Sequence, residues 1–160
     1  MTDLKTLYEH DIAAWARLQA EALRTAARGG SNHPLDWENL AEEIESLGTS
    51  QRSALASYVM RIIQHLVKLE YSPALEPRNG WRRTIRLARL QVQRRLKGNP
   101  SLKAELAQFV EEETGTGIEL AIADLEEHGE IDEVEANVLR RARYTEEQVV
   151  GDWLPEEPPR

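Results

Sequence analysis

An all-α helical bundle is the fold this sequence predicts, on three observations. Apolar residues recur at three- and four-residue spacing through several long stretches rich in Ala, Leu, Glu and Arg. Clusters of Gly and Pro separate those stretches, at Gly29–Pro34, Gly48–Ser50, Ser72–Gly80 and Gly98–Ser101. Runs of β-branched residues alternating with period two are scarce, so strands are not indicated. A chain of 160 residues suits one core. The expectation is a single helical-bundle domain over residues 1–154 and a flexible tail over 155–160.

The first segment, from about Asp3 to Arg28, places Leu4, Tyr8, Trp15, Leu18 and Ala22 on one stripe. Asp11 falls on that stripe too. A carboxylate there is expected at the stripe's edge, or accepting a hydrogen bond from a neighbouring helix, because buried carboxylates need partners. Asp36 is a good N-cap for a second, short helix in which Trp37, Leu40, Ile44 and Leu47 form the apolar stripe. Gly48 is expected to end it, and Ser50 to cap a third helix running to Tyr71. That third helix carries Leu55, Val59, Ile62, Leu66 and Leu69, and Pro73 and Pro77 stop it.

The fourth segment, about Gly80 to Lys97, sets Trp81, Ile85, Ala88, Val92 and Leu96 on one face. Its other face holds Arg82, Arg83, Arg86, Arg89, Arg94, Arg95 and Lys97 with no acid among them. Ser101 is expected to cap a fifth helix, which is acidic from Glu111 to Glu130. Gly115 and Gly117 within it weaken the helix or allow close backbone approach. A short helix follows within Asp132–Arg143, and Thr145 with Gln148 reads as a capping box for a last turn. Trp153 and Leu154 are expected to dock on the bundle. The first, third, fourth and fifth segments are thus four main helices, joined by a short connecting helix and completed by small C-terminal ones.

Composition removes several function classes. With no Cys there is no disulfide framework, no thiolate metal site and no thiol nucleophile. No apolar run of about 7–15 residues follows the start, and none approaches the roughly 18 of a membrane span. The expectation is a cytoplasmic protein without a signal peptide or membrane segment. A net charge of −8 disfavours non-specific binding of nucleic acid by the whole molecule, though not by a local patch.

The run Asp36-Trp37-Glu38-Asn39-Leu40-Ala41-Glu42-Glu43-Ile44-Glu45-Ser46-Leu47-Gly48 resembles the signature of the DUF29 family, bacterial proteins of unknown function. His65-Leu66-Val67-Lys68, Tyr71, Pro73, Trp81, Thr84-Ile85 and Pro100-Ser101-Leu102 follow in the family's order, and Tyr8, Asp11 and Trp15 match its N-terminal pattern. The chain departs at Leu69, where an aromatic is usual, and around Thr49 and Gln51. The resemblance extends to about Pro155 and implies an all-helical fold. It brings no activity, cofactor or catalytic residue.

Three constellations carry chemistry. Asp11, Glu42, Glu43 and His65 lie on or beside apolar stripes, where ligands from facing helices would meet a metal or small molecule, with Arg86 or Arg82 as ion-pair partners for the carboxylates. Neither Glu-x-x-His nor His-x-x-x-His occurs, so neither a metal nor any other cofactor is expected. The basic helix, with Trp81, Arg82, Arg83, Arg89, Arg94, Arg95 and Lys97, is the nucleic-acid candidate, because Arg forks bind phosphate and Trp can stack a base. The acidic fifth helix is expected to neutralise much of it. Four Trp in so small a bundle supply contact surface, Trp153 above all. No nucleophile elbow and no phosphate-binding Gly loop occurs. The leading expectation is a non-enzymatic module that associates with itself, most simply as a two-fold dimer, or with another protein.

Overall fold

A computed structural model describes residues 3–157. The helices are α1 (Leu4–His10), α2 (Ile12–Arg28), α3 (Trp37–Tyr71), α4 (Arg78–Gly98), α5 (Leu106–Glu127), α6 (Glu133–Leu139) and α7 (Glu146–Val150), with a 3-10 helix at Pro100–Glu105 before α5. There is no strand among the described residues. The fold is all-α, as the sequence predicts. Two compact units divide it: Met1–Ala54 with Arg94–Ala104, and Leu55–Gln93 with Glu105–Arg160. No helix among the described residues is long and apolar enough to cross a membrane.

In the first unit the segment expected as one helix breaks at Asp11. Its backbone leaves the helical region (φ −155°, ψ 82°), and its carboxylate accepts from the Ala14 amide at 2.9 Å, capping α2. The same carboxylate accepts from the Ser101 amide at 2.6 Å and the Ser101 hydroxyl at 2.9 Å. Ser101 therefore does not cap α5, whose first turn has no side-chain cap. The buried face of α2 is Ala13, Ala16 and Ala20, not the expected stripe. Leu4, Tyr8 and Leu18 are 49%, 55% and 41% exposed. Trp15 is half-buried, edge-on to Tyr8 with ring centroids 4.9 Å apart.

The small face of α2 explains Gly48. A Cβ there would lie 3.3 Å from the Ala13 carbonyl oxygen and 3.6 Å from the Ala16 Cβ. The glycine thus avoids a tight contact where α2 and α3 approach, and α3 runs through it rather than ending. The expected second and third helices are one helix of 35 residues. Asp36 still caps it, accepting from the Asn39 amide. The Arg24 guanidinium crosses from α2 to Glu38 and Glu45 on α3 at 3.3 and 2.8 Å.

The second unit holds most of the apolar core. Leu55, Val59, Ile62, Leu66 and Leu69 of α3 are each at most 1% exposed, and Ile85, Ala88 and Val92 of α4 are buried as predicted. Gly117 lets α5 approach α3: a Cβ there would stand 2.9 Å from Ile63 Cγ2 and 3.0 Å from the Met60 carbonyl oxygen. Reciprocal capping boxes, Asp132 with Glu135 and Thr145 with Gln148, start α6 and α7.

Candidate functional site

The signature carboxylates are not core groups. Glu42 and Glu43 are exposed on the part of α3 in the first unit, where Glu42 borders an open depression with Glu45, Ser46, Thr49, Ser50 and Ser53. Neither makes an ion pair among the described residues. Asp11, the third acid in that set, is buried, and its carboxylate is committed to Ala14 and Ser101. Beside it, Asn99 Oδ1 accepts from the Ala13 amide at 3.1 Å, and its Nδ2 donates to the Arg95 carbonyl at 3.1 Å. Arg95 in turn donates to Gln51 at 2.8 Å. This network fixes the α1–α2 junction to the turn before α5, so Asp11 has an architectural task.

His65 and Arg86 belong to the second unit. His65 is half-buried, and its Nδ1–H donates to the Arg61 carbonyl at 2.9 Å, the bond that fixes the tautomer of the neutral ring. Burial, with the positive charge of Lys68, holds its pKa below the usual imidazole range. One turn away, Lys68 donates to Asp124 at 3.0 Å and sits 4.9 Å over the Trp81 ring. Burial alone would raise the Asp124 carboxyl; hydrogen bonds from Lys68 and Gln64 outweigh it and hold the group below the usual carboxylate range. Among the described residues no three His, Cys, Asp or Glu side chains group so as to hold a metal ion.

The basic helix is used partly within the chain. Arg89, expected on an open phosphate-binding face, instead turns onto three backbone carbonyls, those of Val149 (2.9 Å), Gln148 (2.8 Å) and Trp153 (2.7 Å). These are the unsatisfied carbonyls at and after the end of α7, which favour a cation. Arg82 pairs with Glu157, and Trp81 is half-buried beneath Lys68. Arg83, Arg86, Arg94 and Lys97 are exposed and have no partner among the described residues. No α4 side chain pairs with α5 there; the α5 acids Glu119 and Asp124 pair with Arg140 and Lys68. The expected neutralisation of α4 thus comes from the C-terminal segment at Arg82 rather than from α5. Residues 158–160 of the expected tail lie outside the described residues.

Between α4 and that segment lies a cleft of about 460 Å³, lined by Arg82, Ile85, Arg86, Arg89, Leu90, Gln93, Val150, Asp152 and Leu154. Trp153 stands 6.4 Å from Tyr144, ring to ring, so it packs inward rather than standing free.

Sequence reasoning missed Arg78. It is 3% exposed and donates to the Leu69 and Ser72 carbonyls at 2.5 and 3.3 Å, capping the end of α3. An Arg directly after the Ser72–Pro77 break was the available signal, since a cation suits a helix C-terminus. The Tyr144 hydroxyl, which donates to Glu70 at 2.7 Å, and the Ser72 hydroxyl, which donates to Glu130 at 2.5 Å, left no sequence signal because their partners lie 74 and 58 residues away.

Comparison with known proteins bears on the fold. A crystal structure of an alpha-helical protein of unknown function from Rhodospirillum rubrum ATCC 11170 matches with a TM-score of 0.63, over 92% of this chain and 98% of that one, at 21% identity. No curated protein matches the chain. The model of DUF29, a domain of unknown function, matches residues 7–154. On that match, which spans nearly the whole sequence, the chain belongs to the DUF29 family.

Proposed function

We propose that this protein is a non-enzymatic, self-associating helical module whose first unit pairs with the first unit of a second copy. The observation that carries the reading is the apolar surface left exposed on α1, α2 and α3 of the first unit. Leu4, Tyr8 and Leu18 on α1 and α2 are 41–55% exposed, and Leu40 and Leu47 on α3 are 41% and 45% exposed. Seven residues separate Leu40 from Leu47, so they share one side of α3. Charge favours a second copy as the occupant. Exposed Arg17 and Arg28 accompany Leu18 on α2, while exposed Glu43 stands beside the Leu40–Leu47 side of α3. A two-fold axis that sets the exposed α1–α2 residues of one copy on the Leu40–Leu47 side of α3 of the other matches both sets twice.

The magnitude sets the strength. Ten half-exposed apolar side chains contribute about 10 kcal/mol on burial at about 1 kcal/mol each. Association costs roughly 4–15 kcal/mol. The dimer is therefore concentration-dependent rather than obligate. Sedimentation velocity across a protein dilution series is expected to show a monomer–dimer equilibrium that Leu40→Glu with Leu47→Glu shifts wholly to monomer. A wild-type chain that stays monomeric at about 100 μM, a concentration at which a contact of about −5 kcal/mol or tighter registers, overturns the reading.

A further inference from the structure

The cleft in the second unit has chemistry that self-association does not use. Its volume of about 460 Å³ is that of a small-molecule site. One wall is α4. The other is the C-terminal segment, held in place by the three carbonyl bonds of Arg89. The lining is amphipathic. Ile85, Leu90, Val150 and Leu154 supply apolar surface, of which Leu90 is 59% and Leu154 38% exposed.

The polar part is specific. Arg82 already binds a carboxylate, that of Glu157. Arg86 follows one turn later on the same side of α4 and lines the same cleft, with no hydrogen bond or ion pair among the described residues. A planar guanidinium beside apolar surface suits a carboxylate carried on a hydrocarbon body. The remaining charges set a limit on the head. Asp152 lines the cleft and Glu157 stands at Arg82, so a polyanion would meet two carboxylates, whereas a single negative charge meets one open guanidinium.

We infer that this cleft binds an apolar monocarboxylate, its head on Arg86 and its hydrocarbon body against Leu90, Val150 and Leu154. Self-association is not required, because every residue named lies in the second unit.

Titration calorimetry on the full chain with octanoate tests it, with octanol and inorganic phosphate as the comparison probes. Saturable binding of one octanoate per chain is expected, with Arg86→Gln weakening it about tenfold through loss of a charge-assisted pair. Leu90→Gln is expected to weaken it as well, and octanol and phosphate to bind far less tightly than octanoate. Arg86 and Leu90 are exposed, so both variants keep the fold, and a circular-dichroism melt verifies that. Absence of octanoate binding to the wild type overturns the inference. So does octanoate binding that neither variant weakens, octanol binding as tight as octanoate, or phosphate binding as tight as octanoate, which would mark a bare anion site.

Discussion

Arg78 shows how one side chain can hold a junction. Its guanidinium is buried at the end of α3 and faces backbone carbonyls, not a carboxylate. Burial lowers its pKa, but an arginine stays charged at neutral pH, so its hydrogen bonds go to carbonyl dipoles rather than to a carboxylate. Removing it leaves the Leu69 and Ser72 carbonyls without their donor in a dry site. Arg78→Ala is expected to cost about 2–4 kcal/mol in urea unfolding, since two charge-assisted bonds are lost and buried acceptors are orphaned. Arg78→Lys keeps the charge but loses the fork, and should recover part of the loss. Equal stability of wild type and alanine variant would show that the bonds do not matter. The same logic governs Arg89. The sequence places it correctly on α4 yet misassigns its task, because helical spacing locates a side chain on a face without saying which carbonyls come to meet it.

At the scale of elements, the two glycines of α5 separate two physical roles. Nothing lies within 4 Å of a Cβ built on Gly115, whereas one on Gly117 would collide with Ile63 and the Met60 carbonyl. Gly115→Ala is therefore expected to stabilise the protein by about 0.5–1 kcal/mol through helix propensity and a less disordered unfolded chain. Gly117→Ala is expected to destabilise by about 1–3 kcal/mol through overpacking. Chemical denaturation of both variants checks the sign, and matching effects would contradict the close α3–α5 contact. The Asp132–Glu135 box went unread, whereas the all-helical character, the apolar face of α3 beyond Leu55 and the Thr145–Gln148 capping box were legible in the sequence, since each rests on local spacing. The boundary at Gly48 was not. A glycine that ends a helix and one that admits a neighbour look alike until the neighbour is known, and here it is the Ala13–Ala16 face of α2. Asp11 was half legible: a carboxylate on an apolar stripe called for a hydrogen-bond donor, but neither the helix break there nor the donor, Ser101, 90 residues on, could be read from local spacing. The candidate carboxylate site was the least legible part. Glu42 and Glu43 lie on a helix whose Leu40 and Leu47 are themselves exposed, and the spacing of those residues gave no sign of being outside the core.

For the whole molecule the perturbed groups combine into one pH profile. The His65 pKa is depressed in the fold, so its neutral form is favoured there. That contribution is fully present above the ordinary imidazole pKa of about 6.5 and is lost as pH falls through the folded value. Glu45 and Glu119 are held below the usual carboxylate range by their hydrogen bonds from Arg24 and Arg140, and Asp124 by Lys68 and Gln64 despite its burial. Their contributions are present above about pH 4 and disappear below it as the folded carboxylates protonate. Both shifts have the same sign, so stability falls with acid in two separate steps. Thermal melts between pH 8 and 3 should therefore show a first decline below about pH 6.5 and a second below about pH 4. His65→Gln should remove the first decline and leave the second, because the acids it spares are on other residues. If the His65→Gln variant still lost stability between pH 6.5 and 5 as the wild type does, the upper step would belong to another group, and the half-buried, neutral His65 would have no part in acid sensitivity.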